Sequence, residues 1–205
     1  MLNNNPERTV HMDPIPEQSR LMNADQISTL IDQIAAEICD KNKDADKNDF
    51  VFIGIHRGGV PLAERLVKGI EKIAHFLPPL GTLDISMYRD DIGLRKTLPY
   101  IFETKIPFDI NGKTIILVDD VLQSGRSIRA ALDAITDYGR PAVVRLATLM
   151  DRGLREFPIN ADYVGVHVDV PRELRIKIYW NEYNDRSEDD FVYTVPNMKE
   201  REVQK

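Results

Sequence analysis

The sequence predicts an α/β domain: a mostly parallel central sheet flanked by helices. Strand-like and helix-like segments alternate through the middle of the chain, the expected pattern for parallel strands joined by crossover helices. Two of the strand-like runs, FVFIGI (50–55) and IILV (115–118), are apolar throughout, as strands covered on both faces are. The second run ends on Asp119 and Asp120 and leads through Ser124-Gly125-Arg126-Ser127 into a helical pattern.

Residues 1–22 mix Asn, Pro and charge and read as a loose N-terminal arm. Asn23 or Asp25 can cap a helix carrying Ile27, Leu30, Ile31, Ile34 and Ile38 at helical spacing. After the polar break around 41–49 comes FVFIGI. His56-Arg57-Gly58-Gly59 then leads into an amphipathic helix with Pro61 near its start. GTLDISMY (81–88) is expected as a strand, and the long charged stretch 89–113 as a mobile functional loop or a β-arm. TIILVDD is a strand and IRAALDAITDYG a helix closed by Gly139. PAVVRLATLMD and ADYVGVHV are further strands, and RELRIKIYW with DDFVYTV forms a terminal antiparallel pair. The expected organisation is an arm (1–22), one domain (23–195) and a polar tail (196–205).

The 205 residues carry a formal net charge of -6, so there is no global basic footprint for nucleic acid. The lone cysteine, Cys39, excludes a disulfide framework and reads as core packing. No apolar run approaches a membrane span, the polar N-terminus lacks a secretory signal, and the expected location is the cytoplasm.

Ligands of open α/β sheets bind beyond the carboxyl ends of the strands, where Asp119 and Asp120 stand. Carboxylates there can accept hydrogen bonds from vicinal hydroxyls or help hold Mg²⁺. The free N–H groups of the following helix start favour an anion, and Gly125 permits close backbone approach. The string offers a phosphate cradle beside a diol reader, which points to a sugar phosphate. No Walker loop, GxGxxG, HExxH or GxSxG pattern occurs.

The string VDDVLQSGRS resembles the phosphoribosyl pyrophosphate (PRPP) signature of type I phosphoribosyltransferases, with serine at both hydroxyl positions. GIHRGGVPLAERL, LDISMYRDD, VDDVLQSGRSIRAALDA, LMDRGLREFPI and ADYVG together resemble the PyrR family across residues 24–195. That family is known as bifunctional pyrimidine operon regulators and uracil phosphoribosyltransferases. The resemblance implies a type I phosphoribosyltransferase fold with a small base-side hood and a flexible loop. It implies transfer of the phosphoribosyl group of PRPP to uracil, giving UMP and pyrophosphate, with Mg²⁺ held mainly by PRPP.

By the same resemblance, Asp119 and Asp120 face the ribose, and Gln123, Ser124, Gly125, Arg126 and Ser127 hold the 5′-phosphate. His56, Arg57 and Gly58 form the pyrophosphate loop; family members often keep a strained peptide bond there, and His56 stands where threonine is common. Asp119, Asp120 and Arg57 are the implied catalytic residues. Tyr88, Arg89, Asp90 and Asp91 open the flexible loop, with Arg89 reaching substrate phosphate. Asp151-Arg152-Gly153 and Tyr163-Val164-Gly165 resemble the base-side wall, with backbone groups of Val164 reading the base. Tyr163 can equally be a core aromatic. No histidine has the spacing that would name it the general base.

Family members that control transcription bind a leader RNA through basic or hydroxyl residues. At the matching positions this chain has Asp32, Gln33 and Ala36 on its first helix, and Asn160 and Val166 beside a retained Arg155. RNA binding is therefore expected to be weak or absent. The alternatives are a nucleotide-sensing regulator with little catalysis, or a phosphoribosyltransferase for another base. A homodimer or a higher homo-oligomer is the expected assembly.

Overall fold

The protein's structure, a computed structural model, describes residues 19–43, 45–90, 100–184 and 188–197. Residues 1–18 of the expected arm, Asp91 with the rest of 91–99, and the tail from 198 onward lie outside the described residues.

Five parallel strands form the central sheet, in spatial order β3-β2-β4-β5-β6. They are β2 (Phe50–Ile55), β3 (Leu80–Leu83), β4 (Thr114–Leu122), β5 (Val143–Asp151) and β6 (Tyr163–His167). Side chains of β2 and β4 alternate between two cores. Phe50, Phe52, Ile116 and Val118 face helices α1 (Ala24–Lys41) and α2 (Gly59–Ala74). Val51, Ile53, Ile115 and Leu117 face α3 (Arg126–Ile135). Both faces are covered, which is why these strands read as unbroken apolar runs.

Asn23 caps α1 with a full capping box. Its side chain accepts from Gln26 N, and its own N–H donates to the Gln26 side chain, each at 3.0 Å. In α2, Pro61 sits in the first turn, where no intrahelical donor is lost. His75 ends that helix in the left-handed region, at φ 49°.

The chain passes from β2 outward to β3, then returns to the other side of β2 as β4 and continues to β5 and β6. The order therefore reverses between β2 and β4. The carboxyl ends of those two strands open a crevice where a ligand can enter.

A second, antiparallel sheet, β1-β8-β7, forms the hood: β1 (Arg20–Met22), β7 (Leu174–Tyr179) and β8 (Phe191–Pro196). The expected terminal pair is β7 and β8. Residues 20–22, expected within the loose arm, instead pair with β8.

The strand expected over 81–88 stops at Leu83. Asp84 ends it by turning its carboxylate onto two backbone donors, Ser86 N and Phe102 N, both at 2.5 Å. Its own N–H donates to Thr104 Oγ1 at 3.0 Å, and Thr82 and Lys105 bridge their backbones beside it. Both described ends of the long loop are thus tied to one buried carboxylate. Burial raises the Asp84 pKa, but the Phe102 and Ser86 donors outweigh it and hold the group below the ordinary carboxylate value.

Asp84→Ala leaves those donors without their acceptor and is expected to lower stability by about 2 kcal/mol in urea unfolding. Because the folded pKa is depressed, the contribution is present above the unfolded-state pKa and is lost as pH falls through the folded one. The gap between wild type and variant should therefore close in acid.

Candidate active site

A cavity of about 860 Å³ occupies the crevice between the carboxyl ends of β2 and β4 and the hood. Its floor is the segment after β2: His56, Arg57, Gly58 and Pro61. The His56-Arg57 peptide bond is cis. Gly58 has ordinary helical angles (φ -72°, ψ -27°), so the backbone conformation does not require glycine there; space does. A Cβ at Gly58 would lie 1.9 Å from Asp120 Oδ2, and one at Gly59 would lie 2.2 Å from Val118 O. The two glycines let the start of α2 press against β4.

Asp119 and Asp120 line the cavity from β4. Asp119 Oδ1 accepts from Asp120 N at 3.0 Å, and Asp120 Oδ1 accepts from Val121 N at 2.8 Å. Burial, and then the charge of Asp120, push the Asp119 pKa well above its ordinary value. Burial raises Asp120 as well. Two adjacent carboxylates held this way favour a ligand that brings hydroxyl donors or positive charge.

The turn Gln123–Ser127 lines the next stretch, except for the Arg126 side chain. Gly125, at φ 86°, caps α3 in the left-handed region and has no side chain to cap it; Arg126 N makes a long bond of 3.4 Å to Ser124 Oγ. The segment after β5 braces this turn from behind. Ser124 O accepts from Glu156 N and Phe157 N at 3.0 Å, and Gln123 O accepts from Arg155 Nη1 at 2.9 Å. Arg89 spans from the loop root to donate to Ser127 Oγ at 2.8 Å, which places a cation at the cradle. The Arg126 side chain turns outward to Glu156 and Asp90.

Three residues expected on the base side have other places. Arg152 is nearly buried. It donates to Gln123 Oε1 at 3.1 Å and to the carbonyls of Val170 and Pro171 at 3.1 and 2.6 Å, so it braces the Gln123–Ser127 turn and does not line this cavity. Tyr163, 1% exposed, is a core residue, and its hydroxyl accepts from Asn42 Nδ2 at 2.9 Å and Arg145 Nη1 at 3.1 Å. Val164 sits in β6, in register with Thr148 and outside the cavity.

The wall facing Asp119 is the hood: Arg175, Ile176, Lys177 and Ile178 of β7, with Trp180 and Tyr193. Sequence reasoning missed these as site residues. The alternation of charged and apolar residues in RELRIKIYW was the available signal, but a strand's alternation does not say what its polar face meets.

The match to known proteins follows this geometry. The family model "Phosphoribosyl transferase domain" matches residues 17–176. A protein named "Bifunctional protein PyrR" from Roseiflexus sp. is 50% identical over 159 residues, covering 78% of this chain and 86% of the relative. The chain belongs to the PyrR family of phosphoribosyltransferases. A PyrR relative from Picosynechococcus sp. is 43% identical over 167 residues, covering 81% of this chain and 92% of the relative. Among solved structures, the hypoxanthine phosphoribosyltransferase of Trypanosoma cruzi superposes with a TM-score of 0.64 at 17% identity, covering 87% of this chain and 96% of that one. At that identity the likeness speaks for the type I phosphoribosyltransferase fold. Among the described residues, no helix is long and apolar enough to cross a membrane.

Proposed function

We propose that this PyrR-family protein is a uracil phosphoribosyltransferase that converts uracil and PRPP to UMP and pyrophosphate. One observation carries the reading. A single cavity joins paired carboxylates, the start of α3 with its serines Ser124 and Ser127, and the Arg57 loop. These are counterparts for the ribose hydroxyls, the 5′-phosphate and the pyrophosphate of PRPP, in that order. The names of the curated relatives support the choice of uracil.

In this reading the chain supplies no covalent nucleophile. Ser124, Ser127 and the α3 N-terminus fix the phosphate end of the substrate. Asp119 and Asp120 accept from the ribose hydroxyls and lie near the carbon that gains positive character as the bond to pyrophosphate breaks. Arg57 meets the charge growing on the leaving group. The hood holds the base so that its nitrogen faces that carbon. Two adjacent cavity-facing carboxylates fit a Mg²⁺ ion whose other ligands are PRPP oxygens, and bound Mg²⁺ would neutralise part of the pyrophosphate charge. The test is a panel of uracil, hypoxanthine, guanine and orotate with PRPP and Mg²⁺. Uracil is expected to be the preferred acceptor, and preference for a purine or orotate would overturn the reading.

Tight leader-RNA binding is not part of this proposal. The exposed face of α1 carries Asp25, Asp32, Gln33, Ala36 and Asp40, a surface that repels phosphate. Affinity for RNA grows with the number of cations at the contact. In a gel shift at 0.15 M salt with UMP present, the protein's own operon leader is expected to run free; a retained complex would show that the regulatory activity persists.

A further inference from the structure

His56, placed where threonine is common, has a partner from a distant segment. Its ring stacks on Phe102, with centroids 4.7 Å apart and planes 10° from parallel. Burial, ahead of the opposing pull of the Asp84 charge, lowers the His56 pKa, so the ring is neutral at neutral pH and stacks as an aromatic. Phe102 is fixed from two further directions. Its N–H donates to the Asp84 carboxylate, and Tyr100 meets its ring in an edge contact, 4.7 Å between centroids. His56 N donates to Leu83 O at 2.9 Å, one residue before Asp84. The loop root and the segment after β2 are thus tied to the same end of β3.

The Arg57 guanidinium lies over the same Phe102 ring, 5.6 Å from its centroid. Among the described residues no hydrogen bond or ion pair holds that guanidinium, so the aromatic face is what orients it. His56, Arg57 and Phe102 all line the cavity. We propose that Phe102 is a positioning residue that holds Arg57 ready for the pyrophosphate group and acts on the ligand only through that arginine. The inference rests on the reading above in which Arg57 meets the leaving pyrophosphate. A free arginine side chain loses rotamer freedom when it binds an anion, and one already laid on a ring loses less. A carboxylate in the same place would also orient Arg57, but it would occupy the N–H donors that the pyrophosphate needs. A ring orients the cation and leaves those donors open.

The test measures binding of pyrophosphate with Mg²⁺, and separately of UMP, by calorimetry. Phe102→Leu keeps an apolar side chain and removes the ring face. It is expected to weaken pyrophosphate about tenfold and to leave UMP, which has no pyrophosphate group, unchanged. Phe102→Tyr keeps the face and is expected to bind pyrophosphate as wild type does. In an Arg57→Ala background, Phe102→Leu should cost nothing further, because the ring acts through the arginine. Should the leucine variant fold poorly, pentafluorophenylalanine installed in place of Phe102 alone keeps the shape and reverses the ring's charge distribution, and the same loss is expected. Wild-type pyrophosphate affinity in the leucine or fluorinated protein overturns the proposal. So does a matching loss of UMP affinity, a tyrosine variant as weak as the leucine one, or an equal loss of pyrophosphate affinity with and without Arg57. Wild type that binds UMP but not pyrophosphate is a different failure: it removes the role read for Arg57, and the positioning role falls with it.

Discussion

Asp119→Asn together with Asp120→Asn is expected to reduce kcat/KM for PRPP by about a thousandfold while making the fold more stable at neutral pH. In the proposed reaction each carboxylate would accept charge-assisted hydrogen bonds from the substrate, worth about 1.5–3 kcal/mol apiece, and asparagine would replace them with weaker neutral ones. The local structure survives, because an amide oxygen still accepts from Asp120 N and Val121 N, as the carboxylates do now. The stability gain has the opposite origin. Burial and mutual repulsion raise the pKa of Asp119, and burial raises that of Asp120, so in the empty protein the charged forms are a cost. A carboxylate whose folded pKa lies above its unfolded value imposes no penalty in strong acid. The penalty grows as pH rises from the unfolded pKa and is complete above the folded one. The variant and wild type should therefore unfold alike at low pH and diverge as pH rises. Equal urea midpoints at neutral pH, or activity lost by less than tenfold, would sink this account. The same linkage makes PRPP binding release protons from the pair, so affinity should fall as pH drops below the raised values.

Alanine at Gly58 and alanine at Gly59 are expected to fail in different ways, although the two residues are neighbours. At Gly59 the added Cβ would meet the Val118 carbonyl at 2.2 Å and Asp119 Cα at 3.0 Å, which is backbone of the central strand. Neither strand nor helix can yield without opening the core, so Gly59→Ala should cost about 3 kcal/mol of stability. At Gly58 the Cβ would meet the Asp120 carboxylate, Oδ2 at 1.9 Å and Cγ at 2.3 Å. A side chain can rotate where a backbone cannot. Gly58→Ala should fold, with the Asp120 carboxylate displaced from its place in the cavity, and lose about a hundredfold in kcat, since a misplacement of about 1 Å is enough for that. Denaturant midpoints and steady-state rates of the two variants separate the cases. A Gly58→Ala protein with wild-type kcat would mean that the position of Asp120 is not critical to the chemistry.

Much of this protein is legible before folding because its signals are local. The helix cap, which the sequence offers at Asn23 or Asp25 and the structure places at Asn23, and the apolar runs of β2 and β4 each depend on residues close in sequence. So does the turn from Asp119 through Gly125 into α3. The strand over 81–88 was not legible. Its residues have strand character, but Asp84 spends its carboxylate on the N–H of Phe102, 18 positions away, and that bond exists only in the folded chain. Tyr163 illustrates the same limit from the other side. The sequence leaves it open between a base-side residue, by the ADYVG resemblance, and a core aromatic; burial against α1, with Asn42 and Arg145 on its hydroxyl, makes it part of the core.

By itself the sequence determined the α/β class, the Gly125 turn into α3 and the acidic pair at the end of β4, because each follows from residue type and short spacing. Only the tertiary structure decided which wall faces that pair. It brought β7 and Trp180 over the cavity, and it turned Arg152 into a brace for the turn. Local propensity reports on a residue and its near neighbours along the chain. Which surfaces meet is set by how the sheets and helices bury their apolar faces together, and that is a property of the whole packing.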